Sequence, residues 1–451
     1  MRRALQAVAV FAALLVPGPS VAEGADTRAR QVLAEDALVA GEPGAALLIS
    51  EDILSETPES YAALFVKAAA LIDLGDPGQA AEVAGAAYRV AATRDQRLQA
   101  ARLAGRARFL AGQYARSEWW FRRASNNVST VEEERQVIEA FQTVRRANPL
   151  TFQVGFGAAP TNNFNNGAED GSVLFEGLGV FELPPDQRPL SGIEYNGDIR
   201  LEYRLASNAR QETEIGLYVY GRTYTPSSSA RESVPGIDGD DYSLGIVDVF
   251  VRQDRLVFPE LGVSTVSLHK GRLFYGGRHY WDYVRLAVSQ DFRLDDVSAL
   301  NVELSQENQF GVPTRHEDTG ITTLTLGYDR VRENGDRYGV SASGKVYDTE
   351  AFENSYEDYR IKVDYQFARL FRGVALGGSL GIGHTNYDAF FLSLDGRRDD
   401  YLFGSAAAVW TEVSYFGFSP RADFTFEKRW SDVSQYGRTT AALRLGLSST
   451  F

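Results

Sequence analysis

The sequence predicts an amino-terminal part built from α-helical repeats, followed by an antiparallel transmembrane β-barrel of about fourteen strands. Three observations lead to this prediction. The composition changes near residue 148, because only 3 of the 22 tyrosines and 9 of the 42 glycines precede it. A motif recurs every 34 to 37 residues in the first part. Long alternating segments fill the second part, and the last of them ends at Phe451.

The first 22 residues have the three regions of a secretory signal peptide. Arg2 and Arg3 precede an apolar run that ends at Val16, and the small residues Ser20 and Ala22 stand before the expected cleavage site. The apolar run is shorter than the ~20 residues that a helix needs to cross a bilayer. We therefore expect the segment 1–22 to direct export and then to be removed.

Residues 23–147 contain three copies of one helical motif. Each copy has a glycine with a small residue seven positions before it, and a helix-starting residue, proline in the first two copies, two positions after it. Proline is tolerated where a helix begins, so each glycine fits the turn between two helices. The spacing resembles the tetratricopeptide repeat; an irregular alanine-rich bundle is the alternative. The residues expected to pack the repeats are Gly41, Gly75, Gly105, Gly112, Tyr114, Phe121 and Ala124.

Alternating strands fill residues 148–451. From Ile193 to Leu205, apolar and polar residues alternate, which places them on opposite faces of a strand. Segments of 9 to 13 residues exceed the ~5–6 that are typical of soluble sheets and match the ~9–11 that cross a bilayer. Long and short connections tend to alternate, and an even count returns the chain to one side, expected to be the periplasm. The fourteen segments centre on Val154, Ile199, Leu217, Val247, Val266, Leu286, Val302, Leu324, Val340, Val363, Leu380, Ala407, Phe424 and Leu445.

Charged residues on the strand faces are expected to point into the lumen. A charge that faces lipid would cost roughly 2–4 kcal/mol at the bilayer midplane. Such charges can form salt-bridge ladders, a polar conduit for cargo, or both. The candidate lumen residues are Arg200, Glu202, Arg204, Arg360, Lys362, Arg421 and Arg444.

Other classes of function have little support in the sequence. A net charge of −14 disfavours nucleic-acid binding, which depends on phosphate neutralisation. The absence of cysteine excludes disulfides and thiolate sites. The glycines at 378, 381 and 383 lie inside an alternating segment and therefore do not form a phosphate loop. We expect no enzymatic activity, cofactor or metal, since the four histidines lack metal-ligand spacing: His269, His279, His316 and His384.

The first strand and its exit carry the most specific motif. Residues 152–166 form an alternating strand that ends in Ala-Pro and continues into a turn with Asn162, Asn163, Asn165 and Asn166. Together with the final strand, which contains Arg438 and a Leu-Gly-Leu-Ser run, this pattern is similar to the surface lipoprotein assembly modifier (Slam) family of type XI secretion proteins. The resemblance implies an outer-membrane translocon that moves a lipoprotein or soluble protein from the periplasm to the cell surface.

The same resemblance implies the partners. The helical repeats would engage exported cargo or its chaperone, the barrel-assembly machinery would read Phe451, and outer-membrane lipid or lipopolysaccharide would surround the barrel. The four asparagines are candidate cargo contacts, although they could equally build the turn. Two alternatives remain open: an exopolysaccharide export porin with a helical repeat domain, and an uptake porin whose helices only form a scaffold.

Overall fold

The computed structural model describes residues 25–175, 179–312, 317–350, 354–390 and 395–449. These residues form two compact units, one largely helical and one a β-barrel. The expected signal peptide, His316 and Phe451 lie outside the described residues, so their roles remain predictions.

The helical unit confirms the predicted repeat-like architecture. Gly41, Gly75 and Gly112 have φ angles of 78°, 84° and 71° just after the ends of three helices, a conformation that glycine adopts without strain. Pro43 and Pro77 begin the helices that follow. None of the described helices is long and apolar enough to cross a membrane. The helices are α1 (Ala25–Val39), α2 (Pro43–Glu56), α3 (Tyr61–Asp73), α4 (Pro77–Val90), α5 (Arg94–Leu110), α6 (Tyr114–Ser125) and α7 (Val131–Ala147).

The core of the helical unit depends on small residues that let neighbouring helices approach. Gly105 of α5 lies against the ring of Phe121 of α6, and a Cβ at position 105 would stand 2.9 Å from that ring. The Ser117 hydroxyl donates a hydrogen bond of 2.7 Å to the Gly105 carbonyl. Phe121 and Ala124 are fully buried, and Tyr114 packs at the edge of the same core.

The second unit is a closed barrel of fourteen antiparallel strands, as predicted. Each strand pairs with its neighbours along the barrel sequence, and the last strand pairs with the first, so the sheet has no free edge. All fourteen predicted centres lie inside these strands. The strands are β1 (Leu150–Thr161), β4 (Gly192–Ser207), β5 (Gln211–Pro226), β6 (Leu244–Phe258), β7 (Gly262–Tyr275), β8 (Arg278–Arg293), β9 (Ser298–Gly311), β10 (Thr319–Val331), β11 (Arg337–Thr349), β12 (Tyr356–Gln366), β13 (Val374–Tyr387), β14 (Arg397–Trp410), β15 (Phe418–Ser431) and β16 (Arg438–Ser449).

The connections follow the predicted alternation only in part. Turns at one end, which we call the short-turn end, are uniformly brief, such as 208–210 between β4 and β5. At the other end, the long-loop end, the loops 162–191 and 227–243 are long. The connection between β7 and β8 at that end, however, is the two-residue turn Gly276-Gly277, with φ angles of 55° and 70°. Two positive φ angles suit a tight hairpin turn, whose twist matches that of the strands.

The first long loop contains an element that the sequence analysis did not predict. β2 (Ser172–Phe175) and β3 (Gly179–Glu182) form a separate two-stranded hairpin. A short helix, α8 (Ser228–Ser233), stands in the second long loop. The long-loop end of the barrel is therefore folded rather than simply extended.

The two faces of the barrel wall differ in polarity. Along β1, the side chains of Phe152, Val154 and Phe156 are exposed and alternate with Gly155 and Gly157. The same alternation places the lumen candidates on the opposite face from the exposed apolar side chains. An apolar outer band with a polar interior is the pattern of a transmembrane barrel.

We predict that Phe121→Ala lowers the free energy of unfolding of the helical unit by about 3–5 kcal/mol, because it removes a fully buried ring. Loss of the helical circular dichroism signal in urea measures this change. As a control, Val131→Ala, at an exposed site, should change the unfolding free energy by less than about 0.5 kcal/mol. Equal effects of the two substitutions would contradict the packing described for Phe121.

Candidate functional site

The barrel lumen is the candidate site, and its register decides which side chains share it. Cross-strand partners point to the same face, so Arg200 of β4 stands beside Tyr218 of β5, and Glu202 beside Gly216. Arg200 forms an ion pair of 3.3 Å with Glu202 on its own strand. The structure therefore brings two of the predicted lumen residues together.

The other predicted lumen cations also have carboxylate partners. Arg204 pairs with a carboxylate of β5, and Arg360, Lys362 and Arg421 each pair with a carboxylate two residues away on the same strand. Neighbours two apart share a face, so these contacts form ladders along the lumen wall. The ladder interpretation fits this geometry, and a conducting role for the same residues stays a prediction. The distances are Arg204–Glu212 3.3 Å, Arg360–Asp358 2.6 Å, Lys362–Asp364 3.0 Å and Arg421–Asp423 2.6 Å.

Arg444 holds a special position at the place where the barrel closes. It extends from β16 across β1 and forms an ion pair of 3.3 Å with Glu194 of β4. The residues of β1 beneath the Arg444 side chain are small. Ala159 pairs with Glu194 and is fully buried, and a Cβ at Gly157 would stand 2.7 Å from the Arg444 side chain. The ion pair therefore links the two strands that flank β1.

Asn162 continues this closure at the end of β1. Its side-chain amide donates a hydrogen bond of 3.1 Å to the Thr439 carbonyl, and its oxygen accepts one of 2.8 Å from the Ala441 N–H. Both partners belong to β16. The amide thus takes the place of a backbone group just beyond the paired strand.

The remaining asparagines of the motif shape the first loop. Asn163 is buried and makes two hydrogen bonds to the backbone of Gly167. Asn165 donates to two loop carbonyls and accepts a hydrogen bond of 2.9 Å from the Leu190 N–H. Asn166 has a φ angle of 55°, a conformation that asparagine tolerates better than most residues. These contacts fit the turn-building interpretation, and a cargo-binding role stays a prediction.

The first loop also has its own apolar contacts. Phe164 is buried, stacks on Tyr224 with ring centroids 5.2 Å apart, and meets Tyr242 edge-on at 5.2 Å. On the other side, Glu169 forms an ion pair with Lys428 of β15. The loop is therefore attached to the barrel rim on both sides of β1.

Two carboxylates act as hubs that the sequence analysis missed. Asp248 of β6 accepts a hydrogen bond of 2.5 Å from the Tyr283 hydroxyl and lies 2.9 Å from the Nδ1 atom of His269. Asp358 of β12 accepts hydrogen bonds of 2.6 Å from the Tyr401 hydroxyl and 2.8 Å from a threonine of β13. Neither hub could be found without the register, because the partners lie on different strands.

The tyrosine ring of each hub lies over a glycine of the neighbouring strand. Tyr283 covers Gly271, and Tyr401 covers Gly383, so closely that a Cβ at either glycine would collide with the ring. An aromatic ring over a strand glycine supplies the packing that the glycine lacks. The glycine-rich segment of β13 therefore has a packing role, in agreement with its predicted place inside a strand.

A carboxylate in a turn at the short-turn end is stabilised in its charged form. Asp336 accepts a hydrogen bond of 2.6 Å from the Tyr365 hydroxyl and one of 2.8 Å from the Ala368 N–H. These bonds, led by that of Tyr365, hold the pKa of Asp336 below its usual range. The turn is thus held by a carboxylate that stays charged at lower pH than an ordinary aspartate does.

Each of the described histidines lies beside an acidic side chain. His279 lies 3.4 Å from Asp282, and His384 lies 2.8 Å from Asp400. Within the described ranges, no group of three or more His, Asp or Glu side chains could hold a metal ion.

The fold and the lumen together define a class: a tetratricopeptide-like helical domain followed by an outer-membrane-type barrel with a polar interior. No family model and no curated protein matches the chain. Membership of the Slam family is therefore not shown.

Solved structures resemble separate parts of the chain. The Sgt2 tetratricopeptide domain from Aspergillus fumigatus is 22% identical, with a TM-score of 0.25, and the match covers 29% of this chain and 87% of that chain. OccAB3 from Acinetobacter baumannii is 9% identical, with a TM-score of 0.35, over 66% of this chain and 98% of that chain. An outer-membrane channel from Pseudomonas putida F1 is 10% identical, with a TM-score of 0.32, over 67% and 96%. These remote likenesses concern the fold alone.

We predict that Asn162→Ala destabilises the closed barrel by about 1–3 kcal/mol, since two hydrogen bonds to β16 are lost. On detergent gels the folded barrel migrates faster than the unfolded chain. The temperature at which this faster band disappears should fall. Asn162→Asp keeps the acceptor for the Ala441 N–H but cannot donate, so its effect should be intermediate. An unchanged transition in Asn162→Ala would exclude a closing role for this side chain.

Proposed function

We propose that this protein is an outer-membrane conduit whose helical repeats receive an exported protein in the periplasm and pass it to the barrel. One observation carries the proposal: the repeat unit leads directly into the first strand of a closed barrel with a polar lumen. Only Asn148 and Pro149 separate α7 from β1. Repeat domains of this kind commonly serve as binding surfaces for other proteins.

The two ends of the barrel support an orientation for it in the membrane. Outer-membrane barrels have short turns on the periplasmic side and longer loops outside the cell. β1 starts at the short-turn end, so the helical repeats would lie in the periplasm, where cargo arrives after export. The folded first loop would then face the cell surface.

The cargo class is proposed from the motif around β1. We propose a surface lipoprotein or a secreted protein, as in the Slam family, with the barrel-assembly machinery and lipopolysaccharide as further partners. The outer membrane offers no nucleotide, so the energy would come from cargo folding outside or from a periplasmic partner. An export porin for polysaccharide is the alternative, and the small number of helix pairs argues for the protein cargo.

We predict that the lumen is open to water, and the absence of cysteine makes this testable residue by residue. Thr323 faces the lumen on β10, whereas the neighbouring Leu324 belongs to the exposed apolar face. In protein reconstituted into lipid vesicles, a charged thiol reagent should label Thr323→Cys and spare the matched control Leu324→Cys. Labelling of Thr323→Cys with a bulky reagent should also reduce the current through planar bilayers. Equal labelling of the two variants would contradict an aqueous lumen.

We also predict that deletion of the gene removes a co-expressed exported protein from the cell surface, as measured by protease shaving of intact cells. Complementation with the wild-type gene should restore exposure. An unrelated surface protein of the same cells serves as the control and should stay exposed in both strains. Unchanged exposure of every exported protein encoded nearby would overturn the translocon proposal, while the labelling experiment would still test the conduit.

A further inference from the structure

We propose that the lumen contains a binding niche for an oxyanion, the carboxylate or phosphate group of a small solute, beneath the first loop. The niche is lined by residues of five strands, β12 to β16, and by Asn166 of the loop. This inference goes beyond the proposed function, because binding at the niche does not depend on the passage of cargo.

The niche is a cavity of about 410 Å³, which is large enough for a sugar acid or a phosphate with its first water shell. Its polar lining comes from side chains of neighbouring strands that point into the lumen. Arginines, hydroxyls and an amide dominate this lining, and Glu427 is its one carboxylate among the described residues. The lining residues that carry the argument are Asn166, Arg360, Tyr401, Glu427, Arg438 and Thr440.

The cavity exists because β13 has almost no side chains at this point. Gly381 and Gly383 face the lumen, and the rings of Phe403 and Tyr401 lie over them. Side chains at the two glycines would push both rings into the open space. The two rings therefore form part of the cavity lining, together with the charged side chains of Arg360, Glu427 and Arg438.

The charges around the niche are not balanced. Four guanidinium groups on β12, β14, β15 and β16 share three carboxylates. Asp399 is fully buried between Arg397, at 3.3 Å, and Arg429, at 3.2 Å. Arg360 has Asp358 at 2.6 Å.

The surplus positive charge falls on Arg438. Its carboxylate partner, Glu427, stands 3.5 Å away and is shared with Arg429 at 3.4 Å. The Arg438 side chain keeps 28% of its surface exposed and lines the cavity.

These groups fit an oxyanion better than a neutral solute. A guanidinium offers parallel N–H donors that match the two oxygens of a carboxylate or phosphate. The hydroxyl of Thr440 and the amide of Asn166 add neutral donors at the same cavity. A neutral sugar would use the hydroxyls but leave the surplus charge of Arg438 without a counter-charge.

The test is equilibrium binding to the purified full-length protein in detergent, measured by isothermal titration calorimetry. Inorganic phosphate and glucuronate should each bind saturably at one site, and glucose should not bind. Arg438→Gln should weaken the binding of both anions by about tenfold or more, because a charge-assisted contact is lost. Arg438→Lys keeps the charge without the two-pronged geometry, and its affinity should be intermediate.

Arg285→Gln is the matched control. Arg285 is a lumen arginine on another wall, with a carboxylate 3.8 Å away, and it does not line the niche. Its substitution should leave anion binding unchanged, and the heat-modifiable gel mobility of each variant checks its folding. Equal affinities of the wild type and Arg438→Gln, equal binding of glucose, or no saturable binding would each overturn the proposal. The two proposals can fail separately. If the labelling and protease-shaving experiments fail but the anions still bind, the proposed function is refuted and the niche is supported.

Discussion

Closure of the backbone hydrogen-bond network is the constraint on which the barrel depends. Hydrocarbon offers no partner for a free N–H or C=O group, so a membrane-crossing sheet must have no edge. Here the condition is met where β16 meets β1. The small residues of β1 serve this closure, because they let the Arg444 side chain pass over the strand to Glu194.

The second constraint is the charge that the lumen has to hold. A polar interior surrounded by lipid has a lower effective dielectric constant than bulk water, so unpaired charges are costly there. In the barrel wall, ion pairs form between residues two positions apart on one strand. Carboxylates such as Asp248 and Asp358 also accept hydrogen bonds from neighbouring strands. Because the pairs satisfy one another, the few charges that are shared unequally stand out as candidates for binding.

The sequence predicts the strands well because alternation and length are local properties. The same holds for the helices, where a glycine and the residue two positions later mark each turn. The lumen hubs were out of reach for a physical reason. Tyr401 lies 43 residues from Asp358, and only the register of the whole sheet brings the two together. The β2–β3 hairpin was missed because its strands have four residues each, too few for the alternation to be distinctive.

The contacts that close the barrel join residues that are far apart along the chain, and this has a kinetic consequence. Arg444 and Glu194 are 250 residues apart, and Asn162 and Ala441 are 279 residues apart. The entropic cost of joining such distant segments must be met before their contacts stabilise anything. A folding chain must therefore pass through an open sheet with two unsatisfied edges. The time spent in that state, rather than the stability of the finished barrel, sets how much protection the newly made chain requires.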